Sequence, residues 1–102
     1  MKRLSSMAHG RSGDKGAHAN VAIIAYDQEG YDWLCDFLTE DRVSDWFRDW
    51  HPTKVTRYRV DNLFALNFLI KDVLDGGAST SLQTDNQGKT FALSLLSMPI
   101  PS

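Results

Sequence analysis

The chain has 102 residues, enough for one domain spanning 1–102 with one core, and its 42% hydrophobic and 24% charged content excludes a disordered chain. A net charge of −2 argues against a general nucleic-acid binder, because phosphate-backbone binding draws on surplus Lys and Arg. The single cysteine, Cys35, excludes an internal disulfide, and no apolar run approaches the ~20 residues of a membrane span.

In chain order, residues 3–8 (RLSSMA) read as a short first strand. The stretch HGRSGDKGAHAN at 9–20 reads as a glycine-rich polar loop, and ANVAIIAY at 19–26 as a central buried strand, antiparallel to the first. Asp27 is placed to cap a helix running to about residue 38, with Tyr31, Leu34, Phe37 and Leu38 at helical spacing. Thr39 caps a second helix with Glu40 and Asp41 in its first turn and a stripe of Val43, Trp46, Phe47 and Trp50; Pro52 ends it and biases His51 towards extended backbone. Residues 54–60 (KVTRYRV) alternate as a strand, Thr56, Tyr58 and Val60 against Val55, Arg57 and Arg59.

Residues 63–74 (LFALNFLIKDVL) read as a deeply buried helix with Asn67 and Lys71 on one side, stopped by Gly76 and Gly77. A short strand follows at 79–84, and 88–97 reads as a closing helix with Phe91, Ala92, Leu95 and Leu96 in one stripe; a hairpin strand is the alternative there. The sum is an α+β two-layer sandwich: about four mostly antiparallel strands with helices on one face.

A core does not require the stretch 9–20, which makes it the candidate site. Gly10, Gly13 and Gly16 permit left-handed turns whose N–H groups form an anion nest. Arg11 adds a planar fork and Lys15 a mobile charge, so a carboxylate or phosphate is the natural guest, held by Arg11, Ser12, Gly13, Asp14, Lys15, Gly16 and Asn20. The glycine spacing does not match G-x-G-x-x-G, and Lys15 is followed by Gly16 where a P-loop has Ser or Thr, so ATP and NAD are not expected and no cofactor is assigned.

His9 and His18 bracket the stretch. With Asp14 they are candidates for acid–base work, and with Ser12 for a nucleophilic set; without further ligands they do not specify a metal, and none is assigned. Each also has a plainer reading: a polar connection with hydrogen-bonded histidines, and an Asn20 that only ties the loop down. Asp75, Gly76 and Gly77 with Ser79, Thr80 and Ser81 form a second polar segment able to meet the first, near Asn67 or Lys71. Trp33, Trp46 and Trp50 fit core or interface, Cys35 fits packing, and His51 is expected at the surface.

Three stretches, HGRSGDKGAHANVAIIA at 9–25, TRYRVDNLFALNFLIKDVLDGGASTSL at 56–82 and DNQGK at 85–89, are the basis of a family resemblance. The chain resembles the small ferredoxin-fold-like domain of acyclic terpene utilisation proteins of the AtuA type, with R-S-G-D-K-G and the following A-N as the most specific element. The resemblance implies a ferredoxin-like fold, a role in catabolism of acyl-CoA or branched acids, and a larger AtuA-type protein as partner. It carries over no catalytic role.

The leading expectation is a small accessory subunit contributing the 9–20 stretch to an anionic-ligand site at a joint surface, possible in a hydratase or lyase complex. The alternatives are a stand-alone hydratase or lyase using His9 or His18, and a ligand-sensing homodimer or other homo-oligomer. With no bilayer-length apolar run, and no apolar signal-peptide core in MKRLSSMAHG, the expected compartment is the cytoplasm, without membrane or nucleic-acid partners.

Overall fold

A computed structural model describes residues 2–73 and 91–101. Six strands are present among them: β1 (Lys2–Arg3), β2 (Ala8–Lys15), β3 (His18–Ala25), β4 (Lys54–Val60), β5 (Ala65–Lys71) and β6 (Pro99–Ile100). The four longer ones form one antiparallel sheet in the order β2-β3-β5-β4, and β1 pairs with β6 in a separate ribbon. Helices α1 (Gln28–Phe37), α2 (Glu40–Trp46) and α3 (residues 91–96) share one core with the sheet. This is the expected α+β sandwich. Its succession of hairpin, helices, hairpin and helix is the ferredoxin-like β-α-β-β-α-β order with the first strand and helix moved to the end of the chain.

The two predicted caps form as the side-chain chemistry requires. Asp27 accepts from the Gly30 N–H at 2.7 Å, and Thr39 accepts from the Arg42 N–H at 3.1 Å. The second helix is shorter than its apolar stripe. It ends at Trp46, a 3-10 turn covers Arg48–Trp50, and His51 is left-handed (φ 56°) rather than extended, because its N–H turns back to the Arg48 carbonyl.

Three expectations are corrected. The first strand does not run through 3–8: after β1 the chain makes a 3-10 turn at Leu4–Ser6 that buries Leu4, and the long strand begins only at Ala8. Residues 9–15 are not a loop but the body of β2, closed onto β3 by a two-residue turn at Gly16 and Ala17 with Lys15 opposite His18. Gly16 has φ 63° at the first central position, the demand of a II′ hairpin turn. Among the described glycines it alone is left-handed, so the expected anion nest does not form at Gly10 and Gly13.

The third correction is residues 63–74, which are not a helix: 65–71 form the central strand β5. Leu66, Phe68 and Ile70 point into the core while Asn67, Leu69 and Lys71 are half-buried on the other face. The turn before it consists of a 3-10 turn at Asp61–Leu63 and a left-handed Phe64 (φ 55°), whose carbonyl accepts the Ala25 N–H and whose ring packs on Tyr31. The strand expected at 79–84, the Gly76–Gly77 stop and the Asp75–Ser81 polar segment lie outside the described residues. Of the closing segment, 91–96 is helical, as favoured.

The helix layer meets the sheet at its edges as well as its centre. Phe91 of α3 packs edge-on against Phe47 and Trp50, and Trp46 Nε1 donates to Ser94 Oγ at 3.1 Å. A Cβ at Gly10 would come within 3.1 Å of the Ala22 carbonyl oxygen and 3.4 Å of Leu96 Cδ1, so glycine lets α3 lie close under the edge strand. At the opposite edge, the Arg57 guanidinium donates to the Cys35 and Leu38 carbonyls at 2.7 and 3.1 Å, satisfying the end of α1.

Candidate functional site

The register of the sheet sorts its side chains onto two faces, because residues directly opposite one another point the same way. One face, carrying Val21, Ile23, Leu66, Phe68, Ile70 and Val55, lies against the helices. The other carries His9, Arg11 and Gly13 from β2; His18, Asn20, Ala22 and Ile24 from β3; Ala65, Asn67, Leu69 and Lys71 from β5; and Lys54, Thr56, Tyr58 and Val60 from β4. The described helices pack on the first face and leave the second uncovered by them; among the described residues no Asp or Glu takes a register position on it, whereas Arg11, Lys54 and Lys71 do. In a chain of net charge −2, this concentrates cations on the uncovered side of the sheet, with Asp14 on the opposite register of β2 and the other described carboxylates in helices, turns and connections.

Towards the β2 edge of this face is a depression of about 210 Å³ lined by Arg11, Gly13, Asn20, Ala22 and Asn67, with Ser12 and Asp14 of the helix-side register completing its rim on the edge strand. Five of the seven residues expected to hold an anion thus surround one concavity. Lys15 takes the register position opposite His18, and Gly16 is in the turn. Asn67 is the residue that sequence reasoning put on the wrong element: as part of β5 it lies between Ala22 and Tyr58 in a cross-strand row that also includes Arg11. Its Oδ1 is buried and has no hydrogen-bond partner, an uncommon condition for a carbonyl oxygen. The Ser12 Oγ is likewise buried and unpartnered, at a register position opposite Val21 on the helix side.

The histidines do not meet. His9 is opposite Ile24 and His18 opposite Lys15, so they sit at opposite ends of the hairpin, about 20 Å apart at the rise of an extended strand. Ser12 and Asp14 fall on the helix-side register and both histidines on the uncovered one, which leaves the Ser–His–Asp arrangement unassembled. His9 stacks on Tyr26 with ring centroids 5.5 Å apart. His18 accepts the Asp72 N–H at its Nδ1 (3.0 Å), so Nε2 carries the ring proton in this arrangement; the Asp72 carboxylate, 3.7 Å away, is held by Thr53 Oγ1. Among the described residues, no group of three His, Cys, Asp or Glu side chains could hold a metal ion.

A second polar network lies away from the depression. Tyr31 OH donates to Asp61 Oδ1 at 2.5 Å, and Arg59 Nε donates to the same oxygen at 3.1 Å. Burial, followed by the bond to Asp61, pushes the Tyr31 hydroxyl up to about 12. Accepting from Tyr31 and Arg59 holds the Asp61 carboxyl below the ordinary carboxylate range, and the same partners raise the Arg59 guanidinium. The buried tyrosine joins α1 to the β4–β5 turn, so the network fixes the hairpin that carries Asn67 rather than contributing to the depression.

A family model, the AtuA ferredoxin-like domain, matches residues 2–101. The chain belongs to that family. No curated protein and no solved structure matches it. In this AtuA ferredoxin-like domain the match spans both the helix layer and the four-stranded sheet. No described helix of the AtuA ferredoxin-like domain is long and apolar enough to cross a membrane.

Proposed function

We propose that this AtuA ferredoxin-like domain is a small accessory subunit that pairs with a larger AtuA-type catabolic protein and supplies its uncovered sheet face to an anionic ligand, a carboxylate or acyl-CoA, bound at the joint surface. The observation that carries this reading is one depression bordered by the Arg11 guanidinium and the amides of Asn20 and Asn67 on a face whose described register positions hold cations and no carboxylate, with Asp14 reaching the rim only from the opposite register of β2. The Arg11 guanidinium and the amide N–H groups of Asn20 and Asn67 are the donors a carboxylate accepts, while the Asn67 oxygen, itself an acceptor, calls for an N–H or O–H from another part of the ligand or from the partner. The depression is shallow and open on one side, which suits a site completed by a second protein surface.

Separation of the histidines weighs against an acid–base pair within this chain and in favour of chemistry supplied by the partner. The test is co-expression with an AtuA-type large protein, followed by size-exclusion chromatography with light scattering and calorimetric titration with butyrate. The expected result is a stable complex that binds butyrate more tightly than either chain alone, with affinity falling about tenfold or more in Arg11→Ala, the scale of a lost charge-assisted hydrogen bond. A well-folded chain that forms no complex at micromolar concentration overturns the pairing. Butyrate binding indifferent to Arg11 overturns the site.

A further inference from the structure

At the end of the uncovered face nearest the Gly16 turn, the antiparallel register places Lys54 of β4 directly opposite Lys71 of β5. Direct cross-strand neighbours have Cβ atoms about 5 Å apart, and like charges in that relation repel. Val55 and Ile70, the next pair, are buried against the helices, so both lysines belong to the face without carboxylates. On the far side of Lys71, β3 brings His18 to the same end, next to Ala19, which pairs with Ile70. Its Nδ1 is engaged by the Asp72 N–H, which leaves Nε2–H as the ring's available donor. The neighbouring Asp72 carboxylate accepts from Thr53 Oγ1 and lies 3.7 Å from His18 Nδ1.

The register thus brings two lysines and a histidine to neighbouring positions at one end of the sheet, two positive charges against the single Asp72 carboxylate beside them. Two adjacent ammonium groups and an N–H donor match the nearly double charge and three acceptor oxygens of a phosphate better than the single charge of one carboxylate. Asn67 and Lys71 are four residues apart on β5, so the lysine pair lies about 13 Å from the depression along the strand. That spacing separates two anionic groups of one extended ligand.

We infer that Lys54, Lys71 and His18 form a phosphate subsite at this end of the sheet, and that the anion bound on the uncovered face carries a phosphoryl group there. This inference rests on the reading of that face as an anion site and adds the chemical class of the ligand. The phosphate can be free or borne on an organic group, and both present the same oxyanion to the lysines.

The experiment is nuclear magnetic resonance titration of the full ¹⁵N-labelled chain with inorganic pyrophosphate, ADP and butyrate in parallel. Pyrophosphate or ADP is expected to shift the amides of residues 18, 54, 55, 71 and 72. The double variant Lys54→Gln, Lys71→Gln is expected to weaken that binding tenfold or more while its melting temperature stays within a few degrees of the parent, since both side chains leave the core untouched. Lys54→Arg with Lys71→Arg is expected to retain it. The tighter of the two phosphate probes identifies the source. Absence of shifts at these residues with both phosphate probes, or equal affinity in the glutamine variant, overturns the subsite. If butyrate binds in an Arg11-dependent way in that case, the proposed function stands without it. If only the phosphate probes bind the isolated chain, the subsite stands, and the carboxylate reading is decided by the butyrate titration of the complex with the large protein.

Discussion

Replacing Asn67 by leucine sets folding against function in one residue. The Asn67 Oδ1 is buried without a partner, and a buried unsatisfied polar group costs about 1–3 kcal/mol. Leucine has the same number and branching of side-chain heavy atoms, favours a strand more than asparagine does, and would lie between Ala22 on β3 and Tyr58 on β4, with the half-exposed face taking up its larger methyl groups. Because the residue is only half-buried, roughly half of that cost is recovered, so Asn67→Leu is expected to stabilise the free chain by about 1 kcal/mol. For a domain of this size that raises the melting temperature by about 4–8 °C. Urea unfolding followed by circular dichroism measures it, with an unchanged slope as the check that the native and denatured states are comparable. The same variant is expected to lose affinity for butyrate in the complex. A variant less stable than the parent by 1 kcal/mol or more would refute the reasoning, since it would mean the amide is already satisfied in the free protein.

Other expectations concern the turn, the edge and the pH dependence. Gly16→Val forces a β-branched residue into a left-handed conformation and is expected to cost about 1–2 kcal/mol, read by chemical denaturation; a neutral result would refute the II′ turn. Arg57→Met keeps the aliphatic stem but removes the donors to the Cys35 and Leu38 carbonyls, at an expected cost of about 1.5–3 kcal/mol, with faster amide exchange at the end of α1. Asp61 has a folded value below its ordinary 3.8, so its contribution is present above that value and is lost as pH falls through the lowered one; Asp61→Asn is expected to flatten the acid limb of the stability curve. Tyr31, raised to about 12 from 10.0, works in the other direction: its contribution is intact below 10.0 and is lost as pH rises towards 12, and Tyr31→Phe removes that alkaline loss.

Side-chain chemistry that acts locally was legible in the sequence. Asp27 and Thr39 announce their helices because a carboxylate or hydroxyl three residues before a free N–H has one obvious use. The uncovered face of β4 was visible in the alternation of Thr56, Tyr58 and Val60. Two strands were hidden for opposite reasons. In β2, the run from His9 to Lys15 has almost no apolar side chains to alternate, and it is a strand because β3 offers it a complete ladder. In β5, leucines and phenylalanine on both faces of a central strand look continuous, and an apolar run of that length cannot be told from a buried helix by period alone. Asn67 and Lys71 share a face under either reading, since positions four apart coincide in a helix and in a strand. The depression itself is tertiary. Arg11, Asn20 and Asn67 come from three strands, and only the register aligns them.

The β1–β6 ribbon gives the domain a definite mechanical character. Lys2 pairs with Ile100 and Arg3 with Pro99, and the next tie inward is the Leu4 N–H to the Met98 carbonyl at 2.9 Å. The two ends of the fold therefore leave side by side from the same end of the ribbon. Tension applied through them peels these bonds one after another, as a zip opens, and spares the four-stranded sheet from shear. A neighbouring segment tugging on either end would loosen the ribbon first, while the face carrying Arg11 and Asn67 kept its shape.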